Sequence, residues 1–186
     1  YRQNENQAIA VIANDIRKGE VPAYKEEYED FKFIDVSISN YYALKNSASS
    51  NEFADLRGEN SEYILNNILN ISAGYIEKYY EYIKKKKISK ALTLFQVITP
   101  MKAGILGVDN LNIQLQKLFN HSKGKSFVSK VYEYKLTDKV IHIKNENMKA
   151  QTMDMYKSGS SDFLERRVFN GQLGLIIKLD FEEEKC

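Results

Sequence analysis

Tryptophan is absent from this chain, cysteine occurs once, at Cys186, and histidine twice, at His121 and His142. A lone cysteine excludes an intramolecular disulfide and an all-cysteine zinc site. That usage favours the cytosol, or a bacterial exported protein that dispenses with disulfides. The two histidines are far apart and show no His-Glu-x-x-His spacing, which argues against a catalytic zinc. No apolar run approaches the ~18 residues of a membrane span, and no signal-peptide pattern is present. The common phosphate-cradling loops, Gly-x-x-x-x-Gly-Lys-Ser/Thr and Gly-x-Gly-x-x-Gly, are missing, and so is a Gly-x-Ser-x-Gly nucleophile elbow. Charge of neither sign dominates: 27 Lys and Arg against 25 Asp and Glu leave a net +2. That balance does not by itself imply a nucleic-acid or membrane partner. The chain begins at Tyr1 rather than Met, so the expectation is a fragment or a processed form.

With 43% hydrophobic and 28% charged residues over 186 positions, the chain has the material for one sizeable core. The expectation is a single α+β domain over 1–186, with a helical block at 52–121 and an antiparallel sheet at 126–181. A first helix is predicted over 5–18, its stripe Ala8, Ile9, Ile12 and Ile16, with Gly19 and Pro22 ending it. Residues 31–39 read as a strand, and 46–60, rich in Asn, Ser and Ala, as a loop. A long helix follows over 61–86, interrupted by the small residues Ser72, Ala73 and Gly74. Residues 89–98 could be strand or helix; the helix, capped by Ser89 and stopped by Pro100, is favoured and makes 75–98 an αα-hairpin. Gly104 and Gly107 mark a loop, and a further helix runs from Asp109 to His121.

Beyond Ser126 the period changes. Phe127–Leu136 and Val140–Asn145 read as strands joined by Thr137-Asp138, and 146–164 as a polar loop with one helical turn. Asn170-Gly171 then stands between apolar runs, the strongest short-range hairpin signal. After it Leu173, Leu175, Ile177, Leu179 and Phe181 share one strand face, which predicts a closing strand seated on the core. The long helix from Ser61 is the expected cover.

No catalytic, cofactor-binding or metal-ligating residue is assigned. His121 is expected at a helix C-terminus, and His142 faces away from Ile141 and Ile143. The acidic groups Glu26-Glu27-Glu29-Asp30 and Glu182-Glu183-Glu184 are dense in charge and read as solvated surface. The candidate polyanion contact is Lys84, Lys85, Lys86 and Lys87, with Lys90 beyond. Tyr75, Tyr79, Tyr80 and Tyr82 precede it, which interleaves rings with cations. Lysines at a helix end also complement the macrodipole without any ligand.

The words from Asn4 to Gly19 (Asn-Glu-Asn-Gln-Ala-Ile-Ala-Val-Ile-Ala-Asn-Asp-Ile-Arg-Lys-Gly) resemble the exposed half of the first helix in type IV pilins and pseudopilins. The resemblance covers those residues alone; the family's cleavage site and apolar half-helix are not in this sequence. It implies a non-enzymatic, extracytoplasmic domain of a bacterial membrane-anchored protein, in its sharpest form a minor pilin-like assembly subunit with protein partners and no cofactor. Any membrane contact would come through a segment outside this chain. The alternative is an intracellular module that contacts nucleic acid through Lys84–Lys87.

Overall fold

The structure is a computed structural model that describes residues 8–20, 31–32, 34, 36–39, 41–47, 49–124, 126–129 and 132–179, with only the backbone of Met153 and Tyr156. Pro22, the acidic groups 26–30 and 182–184, Phe181 and Cys186 lie outside the described residues. The chain divides into two compact units, Tyr1–Ser47 and Ala48–Cys186. The class is α+β, with helices preceding small antiparallel ladders.

In the first unit, α1 spans Ala8–Lys18 and α2 Tyr41–Ser47. Gly19 closes α1 at φ +79°, a left-handed position that suits glycine. Ala8 and Ile12 are buried, while Ile16 of the same predicted stripe is 60% exposed. The described residues of 31–39 carry no strand. Good β formers need a ladder partner before that preference is realised.

The second unit begins with α3, Ser50–Ala73, in most of the stretch expected to be a loop. The reason is local: the Glu52 carboxylate accepts hydrogen bonds from the Ser49 backbone N–H at 2.9 Å and hydroxyl at 2.5 Å. This is a capping-box arrangement that outweighs the low helix propensity of the Asn and Ser residues. The predicted helix over 61–86 is two helices, because the chain breaks at Gly74 and Tyr75 and resumes as α4, Ile76–Lys84. α5 is short, Ile88–Leu92, so 93–98 is not helical and Ser89 lies inside the helix rather than capping it. α6 spans Val108–Phe119 and stops before His121.

The sheet is not one sheet. β1 (Phe127–Ser129) pairs antiparallel with β2 (Tyr132–Tyr134), so the single strand expected over 127–136 is a hairpin. β3 (Lys139–Ile141) pairs with β6 (Leu173–Leu175), and β4 (Glu146–Ala150) with β5 (Leu164–Val168). β4 and β5 enclose α7 (Met153–Lys157), the predicted helical turn, but β4 lies where a loop was expected. Asn170-Gly171 does turn the chain, with Gly171 at φ +87°. Its flanking strands nevertheless belong to different ladders. The Gly171 N–H donates to the His142 carbonyl at 2.8 Å, and the His142 N–H to the Gln172 carbonyl at 2.9 Å, which carries the β3–β6 pairing into the turn.

The core of this unit gathers Leu65, Tyr79, Ala91, Leu92 and Leu111. α3 packs on α6, α4 on α5, and α5 on β6. The element against the closing strand is therefore α5, not the long helix, and Ile177 beyond β6 is 61% exposed.

Candidate functional site

Of the five lysines expected to meet a polyanion, Lys84–Lys87 form the α4–α5 turn and Lys90 lies inside α5. Lys84 is the last residue of α4, and the Lys85 N–H donates to the Glu81 carbonyl at 3.0 Å. Lys86 adopts φ +56°, left-handed and uncommon for a residue with a Cβ. The Lys87 N–H then donates to the Tyr82 carbonyl at 2.8 Å, and α5 begins. Because the turn is this tight, the consecutive lysines must splay outward, and all five, Lys90 included, are exposed. Among the described residues only Lys85 of the five has a carboxylate partner, Glu81 at 2.6 Å. That bond holds the Glu81 carboxyl below its ordinary pKa and the Lys85 ammonium above its own. In open solvent such a pair binds weakly and can exchange for a phosphate.

The tyrosines before the turn separate into two faces. Tyr79 is buried, and Tyr80 donates its hydroxyl to the Phe119 carbonyl. Burial raises the pKa of both phenols. Tyr75, the N-cap of α4, and Tyr82 follow another strip together with Lys78 and the C-cap Lys85, at helical spacing. Tyr75 stacks on Phe95 with centroids 5.4 Å apart and 16° between planes, and Phe95 stacks on Phe119 at 4.8 Å and 20°. Tyr79 meets Phe119 edge-on at 5.7 Å. The Lys78 ammonium lies 6.0 Å over the Tyr82 ring.

Beneath this lies a polar hub the sequence did not announce. Asp138, 8% exposed, accepts from Asn120 Nδ2 at 2.6 Å, Gln116 Nε2 at 2.6 Å and the Lys135 N–H at 2.7 Å. It joins the C-terminal end of α6 to the turn before β3. Next to it, Lys139 Nζ donates to the Phe95 carbonyl at 3.0 Å and lies 5.8 Å over the Phe95 ring. Burial depresses its pKa, and among the described residues no carboxylate pairs with it. Nothing in the residue pattern marks either position, because both roles depend on α6 and Phe95 arriving from elsewhere in the chain.

His121 is exposed beyond α6. His142 turns its Nε2 inward, 3.2 Å from the Glu146 carboxylate but without hydrogen-bond geometry, while Ile141 and Ile143 are 50% and 80% exposed. On the β4–β5 ladder Asn147 faces Arg167 and Met148 faces Arg166, and the Arg167 guanidinium lies 5.7 Å over the Phe169 ring. A cavity of about 410 Å³ lies between α3 and the loop 101–106, with Arg57 as its one charged lining residue. No group of His, Cys, Asp and Glu among the described residues could hold a metal ion, and no helix among them is long and apolar enough to cross a membrane.

Over 85 residues, 46% of this chain, the sequence is 33% identical to an ATP-dependent RecD2 DNA helicase of Deinococcus radiodurans. The match covers 9% of that protein, so the chain spans under a tenth of the curated relative's length. No family model and no solved structure matches the chain.

Proposed function

We propose that this chain is a nucleic-acid-binding segment of a larger motor protein, contacting the phosphate backbone through the turn that carries Lys84, Lys85, Lys86 and Lys87 and through Lys90 in α5. The observation that carries the reading is the 33% identity to a DNA helicase. The exposed lysine turn supports it, since consecutive cations of which only Lys85 has a carboxylate partner among the described residues suit a line of phosphates. The chain contains no phosphate-cradling loop sequence, so in this reading ATP is handled by other parts of the protein and this segment supplies grip on the nucleic acid.

The test is fluorescence anisotropy with labelled oligonucleotides across a salt series. Affinity is expected to fall linearly on logarithmic axes as salt rises. Replacing the five lysines with glutamate is expected to abolish binding at moderate salt. Replacing Lys84, Lys86 and Lys87 with alanine should cut the salt slope by about 2, at ~0.7 per single-strand phosphate contact. A wild-type protein that binds no oligonucleotide at low salt sinks the reading. The anchored, pilin-like reading of residues 4–19 draws no support from the comparisons. A run of about 20 apolar residues preceding Tyr1 would favour it.

A further inference from the structure

From the N-cap of α4 to its C-cap, the side chains of Tyr75, Lys78, half-buried Tyr82 and Lys85 alternate ring and cation at helical spacing, at the margin of the buried face. Tyr75 is 39% exposed although it ends a stacked column whose inner members are Phe95 and Phe119. The column holds the ring in one orientation, so a flat ligand stacking on its exposed part loses little side-chain entropy. Lys78 is exposed, reaches over Tyr82, and has no carboxylate within ion-pair distance among the described residues. Glu77 and Glu81 lie on the neighbouring, more solvent-facing strip, and Glu81 already holds Lys85. The available cation between the rings is therefore Lys78, and Lys86 and Lys87 continue the charge past the helix end.

We infer that this strip is a track for single-stranded nucleic acid, with bases stacked on Tyr75 and Tyr82 and the intervening phosphates drawn to Lys78 and the lysine turn. The inference rests on the nucleic-acid reading above and adds the strand form and the rings that select it. In a duplex the base faces are stacked on one another and cannot reach a tyrosine; in a single strand they can, whatever the sequence. A purely electrostatic partner would use the lysines and make no contact with the rings.

The experiment uses the full chain with three labelled ligands of equal length: oligothymidine, an abasic strand and a blunt duplex. Oligothymidine is expected to bind about 10-fold or more tightly than the other two. Tyr82→Ala should weaken oligothymidine about 10-fold and leave the abasic strand unchanged, and Tyr82→Phe should restore binding. Because the chain has no tryptophan, Tyr75→Trp supplies a single indole emitter that oligothymidine should quench saturably. Circular dichroism on each variant reads whether the fold survives; the tryptophan variant and the abasic comparison keep the test open if Tyr82→Ala does not fold. Equal affinity for oligothymidine and the abasic strand, or an indole emission in Tyr75→Trp that oligothymidine leaves unquenched, overturns the track. If lysine-to-glutamate replacement still abolishes binding in that case, the broader reading stands. No binding of any of the three ligands removes both.

Discussion

Asp138 is one of two buried polar side chains, with Asn120, that each make three hydrogen bonds in this fold. Its carboxylate accepts two side-chain amides and a backbone N–H in a nearly water-free position. Asp138→Ala would strand those donors, and each hydrogen bond to a charged acceptor contributes ~1.5–3 kcal/mol. The expected loss of stability is about 3 kcal/mol, since such losses overlap rather than add; urea unfolding followed by circular dichroism measures it. Lys139 offers a pH test. Burial lowers its folded pKa below the ordinary lysine value. The unfolded chain then keeps that proton to higher pH than the folded one. Between the folded value and the ordinary value, stability contributed by this group must rise with pH. Wild type is therefore expected to gain stability relative to Lys139→Met as pH is raised from 7 toward 10, read from urea melts at each pH. A flat or falling difference would place the ammonium in a better-solvated site than described.

At the scale of elements, the start of α3 depends on Ser49 and Glu52. Ser49→Ala is expected to lower stability by about 1 kcal/mol and to fray the first turn, seen as faster amide exchange there. Glu52 gives the pH signature of the same cap: hydrogen bonds from Ser49 hold its carboxyl below the ordinary value. Its contribution is present above the ordinary carboxylate pKa and is lost as acid takes the pH down through the folded value. Glu52→Gln should remove that acid limb. The Ser49-x-x-Glu52 spacing that starts this helix stands in the sequence, but the Asn and Ser residues around it favour a loop by propensity, and the cap outweighs them. The helices α1 and α6 were legible from their apolar period, and α4 only as part of one longer helix over 61–86. The ladders were not, since strands of three to five residues carry too few side chains for period two to fix a partner.

For the whole molecule, every residue of the lysine turn and the aromatic strip lies in the unit Ala48–Cys186. That unit also contains the helices that pack on one another and on β6. A fragment of residues 48–186 is expected to keep a cooperative thermal transition and to bind oligothymidine within about threefold of the full chain, a difference under 1 kcal/mol. Loss of binding on deletion of 1–47, with the fold intact by circular dichroism, would assign part of the interface to the first unit.

By itself the sequence determined the α+β class, the helices α1 and α6, the helical character but not the break of 61–84, the turn at Asn170-Gly171 and the clustering of five lysines, because each follows from neighbours within a few residues along the chain. Only the tertiary structure decided the rest. It gave Asn170-Gly171 two flanking strands with different partners, since pairing is settled by which distant strand arrives. It sent Tyr79 inward while Tyr75 and Tyr82 remained on the strip with Lys78, because burial on a helix depends on where its packing partners sit. It also set Asp138 and Lys139 beneath the column through contacts with Asn120 and Phe95. A local pattern names what a residue can do; the long-range packing decides which face of it is left to meet a partner.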